Sequence, residues 1–123
     1  MREDRRKAID TYLRAWMDQD ADLITTIFTD DATYHERVLQ EPIRSLAGIR
    51  RYWETKVVAE QANITARLLA LYEDDQTVIA EWEASFDDVV QGCRKRMREV
   101  AILEFEGAKI AGLREYWASE RVG

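Results

Sequence analysis

The apolar residues of this chain change their spacing once, close to Asn63, and that change constrains its architecture more than any other feature. Before it, apolar side chains recur every three or four residues, the period of a helix with one buried face. After it they alternate, as in a strand with one buried face. Ile9, Tyr12, Leu13 and Trp16 form the first helical stripe. Asp20 has the chemistry of an N-cap for a short second helix carrying Leu23, Ile24, Ile27 and Phe28. Thr29-Asp30-Asp31 breaks that helix, a strand follows over Ala32–Arg37, and a loop holds the lone proline, Pro42. Ser45 caps a third helix with Leu46, Ile49, Tyr52, Trp53 and Val57 along one side.

Beyond the switch, alternation predicts strands over Ile64–Glu73, Thr77–Asp87, Lys95–Glu106 and Lys109–Ala118. Turns fall at Glu73-Asp74-Asp75-Gln76 and at Gly107. Val78, Ala80, Trp82, Ala84 and Phe86 share one face. Three helices followed by an antiparallel meander predict an α+β fold, with the helices packed on one face of a curved, mainly antiparallel sheet. The 123 residues form one domain, 1–123, with little room for a second core. In the Lys95–Glu106 strand both faces are apolar, Ala101, Leu103 and Phe105 on one, Val100 and Ile102 on the other. A sheet with one wet face alternates more cleanly, so a second copy is expected to cover the outer face as a homodimer.

Eighteen basic against 24 acidic residues give a net charge of −6, which excludes the basic surface of a nucleic-acid binder. The clusters Arg5-Arg6-Lys7 and Arg94-Lys95-Arg96 read as solvated faces. Apolar runs are too short for a membrane span, and MREDRRKAID enters a charged helix without an apolar leader. A single cysteine, Cys93, forms neither an intrachain disulfide nor a Cys-rich zinc site, so a cytoplasmic protein is expected. One histidine, His35, with scattered carboxylates is too little for a metal centre. The phosphate-binding, dinucleotide and G-x-S-x-G patterns are absent, and no cofactor is expected.

Parity along the strands groups the remaining candidates. Leu113, Glu115 and Trp117 share a face, as do Met97, Glu99 and Ala101. Tyr34 and Glu36 share another, and His35 points away from them unless a bulge intervenes. If these faces are concave, they line an aromatic, mostly apolar small-molecule cavity whose carboxylates are Glu36, Glu99 and Glu115. A plainer reading leaves Tyr12, Trp16, Trp53 and Trp82 as core, turns Glu36 to water at a strand end, and solvates Glu99 and Glu115 or pairs them with Arg98, Arg114 or another arginine across the sheet.

Several stretches resemble a known family. Tyr12-Leu13-Arg14-Ala15-Trp16, Asp20-Ala21-Asp22, Ile27-Phe28 and Asp30-Asp31-Ala32-Thr33 resemble the opening of a ketosteroid isomerase. Glu41-Pro42, Ile49-Arg50, Lys109-Ile110 and Glu115-Tyr116-Trp117 continue the likeness in order. It spans nearly the whole chain and points to the cone-shaped NTF2-like superfamily, which includes ketosteroid isomerases and SnoaL-like polyketide cyclases. By that resemblance, Tyr12 stands where an isomerase tyrosine donates to the developing oxyanion. Glu36 stands where a carboxylate shuttles the proton. The second donor in these isomerases is an aspartic acid kept neutral by apolar surroundings; here Ala101 holds its position. Losing one oxyanion donor costs about 10²–10³ in rate, so efficient steroid isomerisation is not expected unless Glu99, on the same strand face, replaces it.

The resemblance thus implies a cofactor-free isomerase or cyclase acting on an apolar, ring-containing ligand. Its catalytic candidates are Tyr12, Glu36, His35 and Glu99, and its lining candidates are Tyr34, Trp53, Trp82, Met97, Ala101, Leu113, Glu115 and Trp117. The alternative is a ligand-binding or dimerisation module of the same fold with no catalysis, since fold alone does not decide function.

Overall fold

The computed structural model describes residues 2–122; Met1 and Gly123, the ends of the expected domain, lie outside them. Helix α1 (Glu3–Asp18) buries the expected stripe, with Ile9, Tyr12, Leu13 and Trp16 all inside. It stops at Gln19, which takes the left-handed conformation at φ 54°. The Gln19 amide then bonds the Val57 carbonyl at 2.8 Å and the Gln61 carbonyl at 2.6 Å, tying the helix end to two later elements. Asp20 caps α2 (Ala21–Thr25) as expected, accepting from the Asp22 and Leu23 amides at 3.0 Å each.

Strand β1 (Phe28–His35) differs from expectation at both ends. It runs parallel to the last strand, pairing Phe28 with Ile110 and Thr33 with Gly112, and the register shifts between those pairs. Thr29-Asp30-Asp31 is therefore a bulge inside the strand and not a break before it. The strand ends at His35, so Glu36 stands just past it. A two-residue strand, β2 (Ile43–Arg44), pairs antiparallel with β1. In α3 (Ser45–Tyr52) the Ser45 hydroxyl accepts from the Gly48 amide at 3.3 Å, the expected capping contact. The chain then continues as a π-helical turn, Trp53–Val58. Ile49, Trp53 and Val57 are spaced by four and would drift around a coil of 3.6 residues per turn. The wider turn keeps all three buried.

Strands β3 (Gln61–Asp74), β4 (Thr77–Asp88), β5 (Cys93–Glu106) and β6 (Lys109–Val122) form the predicted antiparallel meander, longer than the alternation alone indicated. The sheet order is β2-β1-β6-β5-β4-β3. Val78, Ala80, Trp82, Ala84 and Phe86 all face the core beneath the helices. The outer face of the sheet carries ion pairs: Arg98 meets Glu83 at 2.7 Å and Arg114 meets Glu104 at 3.6 Å. Those arginines are thereby on the side opposite Glu99 and Glu115, which rules out pairing with Arg98 or Arg114.

In the Arg5-Arg6-Lys7 cluster, Arg6 and Lys7 are exposed as expected, but Arg5 is not. The Arg5 side chain is 5% exposed and donates to Glu73 Oε2 at 2.9 Å and to the Asp75 carbonyl at 2.6 Å. Its guanidinium carbon lies 5.5 Å from the centroid of Phe105. The reason is tertiary: α1 begins over the β3–β4 turn, whose acids and carbonyls need a donor. Arg5→Ala is expected to cost about 1.5–3 kcal/mol, the range for hydrogen bonds to charged groups, because Glu73 stays partly in water. Urea denaturation of the two proteins measures it.

Candidate active site

Four elements bring polar groups to one place under the sheet. Tyr12 rises from α1, Tyr34 from β1, Glu99 from β5 and Glu115 from β6, and all four are buried. The Tyr12 hydroxyl donates to Glu115 Oε1 at 2.9 Å and lies 2.7 Å from the Tyr34 hydroxyl. A phenol has one proton, so with that of Tyr12 engaged by Glu115, Tyr34 is the donor to Tyr12.

Ala101 is as the sequence reading noted, without a side-chain acid. The β5–β6 register sets Glu115 directly across from it. A carboxyl thus reaches this region from the neighbouring strand, and Glu99, two residues along β5, supplies a second.

Burial and the nearby Glu115 charge push the Glu99 carboxyl well above the ordinary glutamate range. Burial also raises Glu115, but contacts from Glu99, Tyr34 and Tyr12 work against that shift. Two buried carboxyls this close do not both ionise readily. Of the two, burial and its neighbour hold Glu99 the higher, while Tyr12 donates to Glu115. Both phenols, Tyr12 and Tyr34, are driven up by burial and then by Glu115, so they stay protonated. Glu99 Oε2 and the indole N–H groups of Trp53 and Trp82 have no hydrogen-bond partner among the described residues.

Tyr12, Tyr34, Glu99 and Glu115 surround a chamber of about 60 Å³, which Glu36, Tyr52, Trp53, Met97 and Trp117 also line. Tyr34, Glu36, Tyr52, Gln61, Met97 and Trp117 are shared with a wider cavity of about 430 Å³ that reaches the surface beside Lys56 and Lys95. The site is therefore a funnel with a narrow floor. At its neck, Glu36 is 23% exposed and meets Arg37 at 3.2 Å. The Trp117 indole N–H donates to the Glu36 carbonyl at 3.1 Å, and Arg37 covers the Trp117 ring at 5.3 Å.

Of the residues expected to line the pocket, Tyr34, Trp53, Met97, Glu115 and Trp117 do so, together with Tyr12, Glu36 and Glu99. Trp82, Ala101 and Leu113 do not; they are core. Trp82 stacks behind Tyr12, with ring centroids 5.0 Å apart and planes at 25°. His35 lies outside both cavities, because no bulge intervenes at its end of β1 to turn it inward. Trp16, Tyr52, Val57 and Gln61 line the chamber and were missed; the first three appeared in the sequence only as members of helical stripes. Among the described residues no group of three His, Cys, Asp or Glu side chains is placed to hold a metal ion. No helix among them is long and apolar enough to cross a membrane.

Residues 9–113 match the model of the SnoaL-like domain. The chain belongs to the SnoaL-like family. No curated protein matches it. Among solved structures, this SnoaL-like domain is similar to SalBIII, an epoxide hydrolase/cyclase-like enzyme in pyran ring formation in the polyether salinomycin. That match has 21% identity and a TM-score of 0.83 over 96% of this chain and 95% of that one. It is also similar to a protein of ketosteroid isomerase-like fold from Catenulispora acidiphila in complex with trimethylamine, at 16% identity and TM-score 0.79, covering 89% and 84%. An LEH-like epoxide hydrolase of M. tuberculosis matches at 16% identity and TM-score 0.76, covering 94% and 83%. At such identities the likeness shows a shared NTF2-like fold.

Proposed function

We propose that this SnoaL-like domain catalyses a cofactor-free proton transfer of the isomerase or cyclase kind on a small oxygenated group at one end of its substrate. The observation that carries this reading is the contrast between two carboxyls on one chamber. Glu99 is 2% exposed with a free oxygen, whereas Glu36 sits at the neck beside Arg37 and water. Environments that separate two carboxyls in this way define an acid and a base. Glu99 gives its proton to a carbonyl or ether oxygen on the chamber floor. Glu36 takes one from a carbon or hydroxyl at the neck, and exchange through the open mouth resets the pair. Tyr12 holds Glu115 in place and is a positioning residue. The likeness in fold to an epoxide hydrolase/cyclase-like enzyme supports acid–base work of this class.

Size revises the expected substrate. A cavity of about 150 Å³ holds benzene, so a chamber of about 60 Å³ admits a functional group and excludes a ring. An apolar ring lies instead in the wider cavity, against Ile43, Tyr52, Phe86, Met97 and Trp117. Glu99→Gln and Glu36→Gln are each expected to lower turnover by about 10²–10⁴, the usual contribution of a positioned acid or base. A panel of enones, epoxides and polyketide-like rings measures this. Unchanged turnover in both variants refutes the assignment.

The second reading is a ligand-binding domain without turnover. It is favoured by the phenol network: with the Tyr12 proton engaged by Glu115 and that of Tyr34 by Tyr12, neither is free for a substrate oxyanion. The trimethylamine complex of the Catenulispora acidiphila protein supports a small amine as an occupant of this fold.

We also propose that two copies associate through the outer sheet face. There Tyr72, Ile79 and Ile102 adjoin across strands, as do Val100 and Tyr116, and Tyr72 is 65% exposed. A dimeric mass at micromolar concentration is expected in native mass spectrometry; a monomer removes the idea. The half-buried single thiol, Cys93, supports a cytoplasmic location.

A further inference from the structure

We infer that the chamber floor receives the ammonium head of a small organic amine, held between aromatic rings and the Glu99–Glu115 pair. The inference rests on the ligand-binding reading of the chamber and not on the proton-transfer chemistry. Three carboxyls, those of Glu36, Glu99 and Glu115, face a space whose lining includes no Lys, Arg or His among the described residues. The rest of the wall is largely aromatic: Tyr12, Trp16, Tyr34, Tyr52, Trp53 and Trp117. Ring faces attract cations, most strongly when desolvated.

Other occupants suit the floor less well. A purely apolar group leaves the buried Glu99 Oε2 unpaired, which costs about 1–3 kcal/mol. A metal ion needs ligands converging on a point, and these carboxyls face a volume instead. An alkylammonium supplies N–H donors for Glu99 and Glu115 and methyl or methylene groups for the rings. At about 10–15 Å³ per small occupant, about 60 Å³ takes roughly four heavy atoms. The remainder of a longer amine extends into the wider cavity. Cationic side chains there are already paired: Lys95 with Asp88 at 2.9 Å, Lys56 with Glu60 at 3.5 Å and Arg37 with Glu36 at 3.2 Å. An incoming cation therefore meets no free positive charge among them.

Binding also displaces a proton. The groups facing Glu99 are Glu115 on β6, Glu36 beyond β1, Tyr12 on α1, Tyr34 on β1, Trp82 on β4 and Tyr52 on α3. Burial and Glu115 hold the Glu99 carboxyl well above the ordinary glutamate range, so an ammonium ion beside it takes the place of its proton.

The test is calorimetric titration of the full chain with n-propylammonium chloride and with 1-propanol, its uncharged counterpart with the same number of heavy atoms. Measurements in two buffers of different ionisation heat count the protons released. The ammonium is expected to bind at least tenfold more tightly than the alcohol and to release close to one proton per site. Glu99→Gln and Glu115→Gln are each expected to weaken it at least tenfold, with circular dichroism confirming that both variants fold. Equal binding of the alcohol, or undiminished affinity in both variants, overturns the inference. Turnover of enones or epoxides without amine binding would remove this inference and leave the proton-transfer reading standing. Amine binding with no turnover across that panel does the reverse.

Discussion

As pH rises above about 5 the protein is expected to lose stability, and Glu99→Gln is expected to remove most of that loss. A carboxyl whose folded value lies above its unfolded one keeps a proton that the unfolded chain has released. Its contribution is complete below the unfolded glutamate value of about 4.3 and disappears as pH rises through the folded value. Glu99 has such a shift, caused first by burial and then by Glu115, and Glu115 shifts the same way from burial. Each proton held by the native state alone tilts stability by up to about 1.4 kcal/mol per pH unit. For a chain of this length that is about 4–7 °C in Tm for each unit.

Acids with lowered values do not obscure the effect. Asp87 is held down by Asn63 and Arg94, and Asp88 by the Gln91 amide and Lys95. Their stabilisation is lost on acidification through and below the ordinary aspartate range, so it is constant across the window above. Gln at position 99 retains the shape and an N–H donor but does not titrate. Urea midpoints for the two proteins at a series of pH values measure the difference. Parallel curves would show that Glu99 is ionised in the native state.

Trp82→Ala is expected to cost about 3–5 kcal/mol, the range for emptying a buried aromatic site. Trp82 is fully buried on β4, and the Tyr12 ring stacks on it. A small domain has about 5–15 kcal/mol in all, so this one change endangers folding. Two consequences follow from the same contact. Tyr12 loses its backing, and its hydroxyl is no longer held against Glu115. Trp82→Phe keeps an aromatic plane behind Tyr12 and removes an indole N–H that has no partner among the described residues. It is expected to cost less than half as much. Urea denaturation of the pair checks both figures, and a Trp82→Ala protein within about 1 kcal/mol of the parent would contradict this packing account.

The α1 stripe, the Asp20 cap and the inward face of β4 were legible because each depends on neighbours a few residues away. The bulge at Thr29-Asp30-Asp31 was not. It exists because β1 pairs with β6 some eighty positions later, and polar residues in a bulge look like residues in a break. The π-helical turn was hidden for a similar reason, since Trp53 and Val57 fit one face of an ordinary helix closely enough to pass. In the site, parity put Met97, Glu99, Ala101 and Trp82 on the correct side of the sheet. It carries no information about depth along the strand, so it did not separate the chamber wall at Met97 and Glu99 from the core at Ala101 and Trp82.

Sequence alone determined the α+β order of elements, the concave side of the strands and the three carboxyls aimed toward it, because side-chain period is a local property of the backbone. Tertiary structure decided which of those carboxyls keeps its proton and how large a group can join it. Both depend on distances between residues that strand register brings together: Glu115 set across from Ala101, and Tyr12 wedged between Trp53 and Trp82.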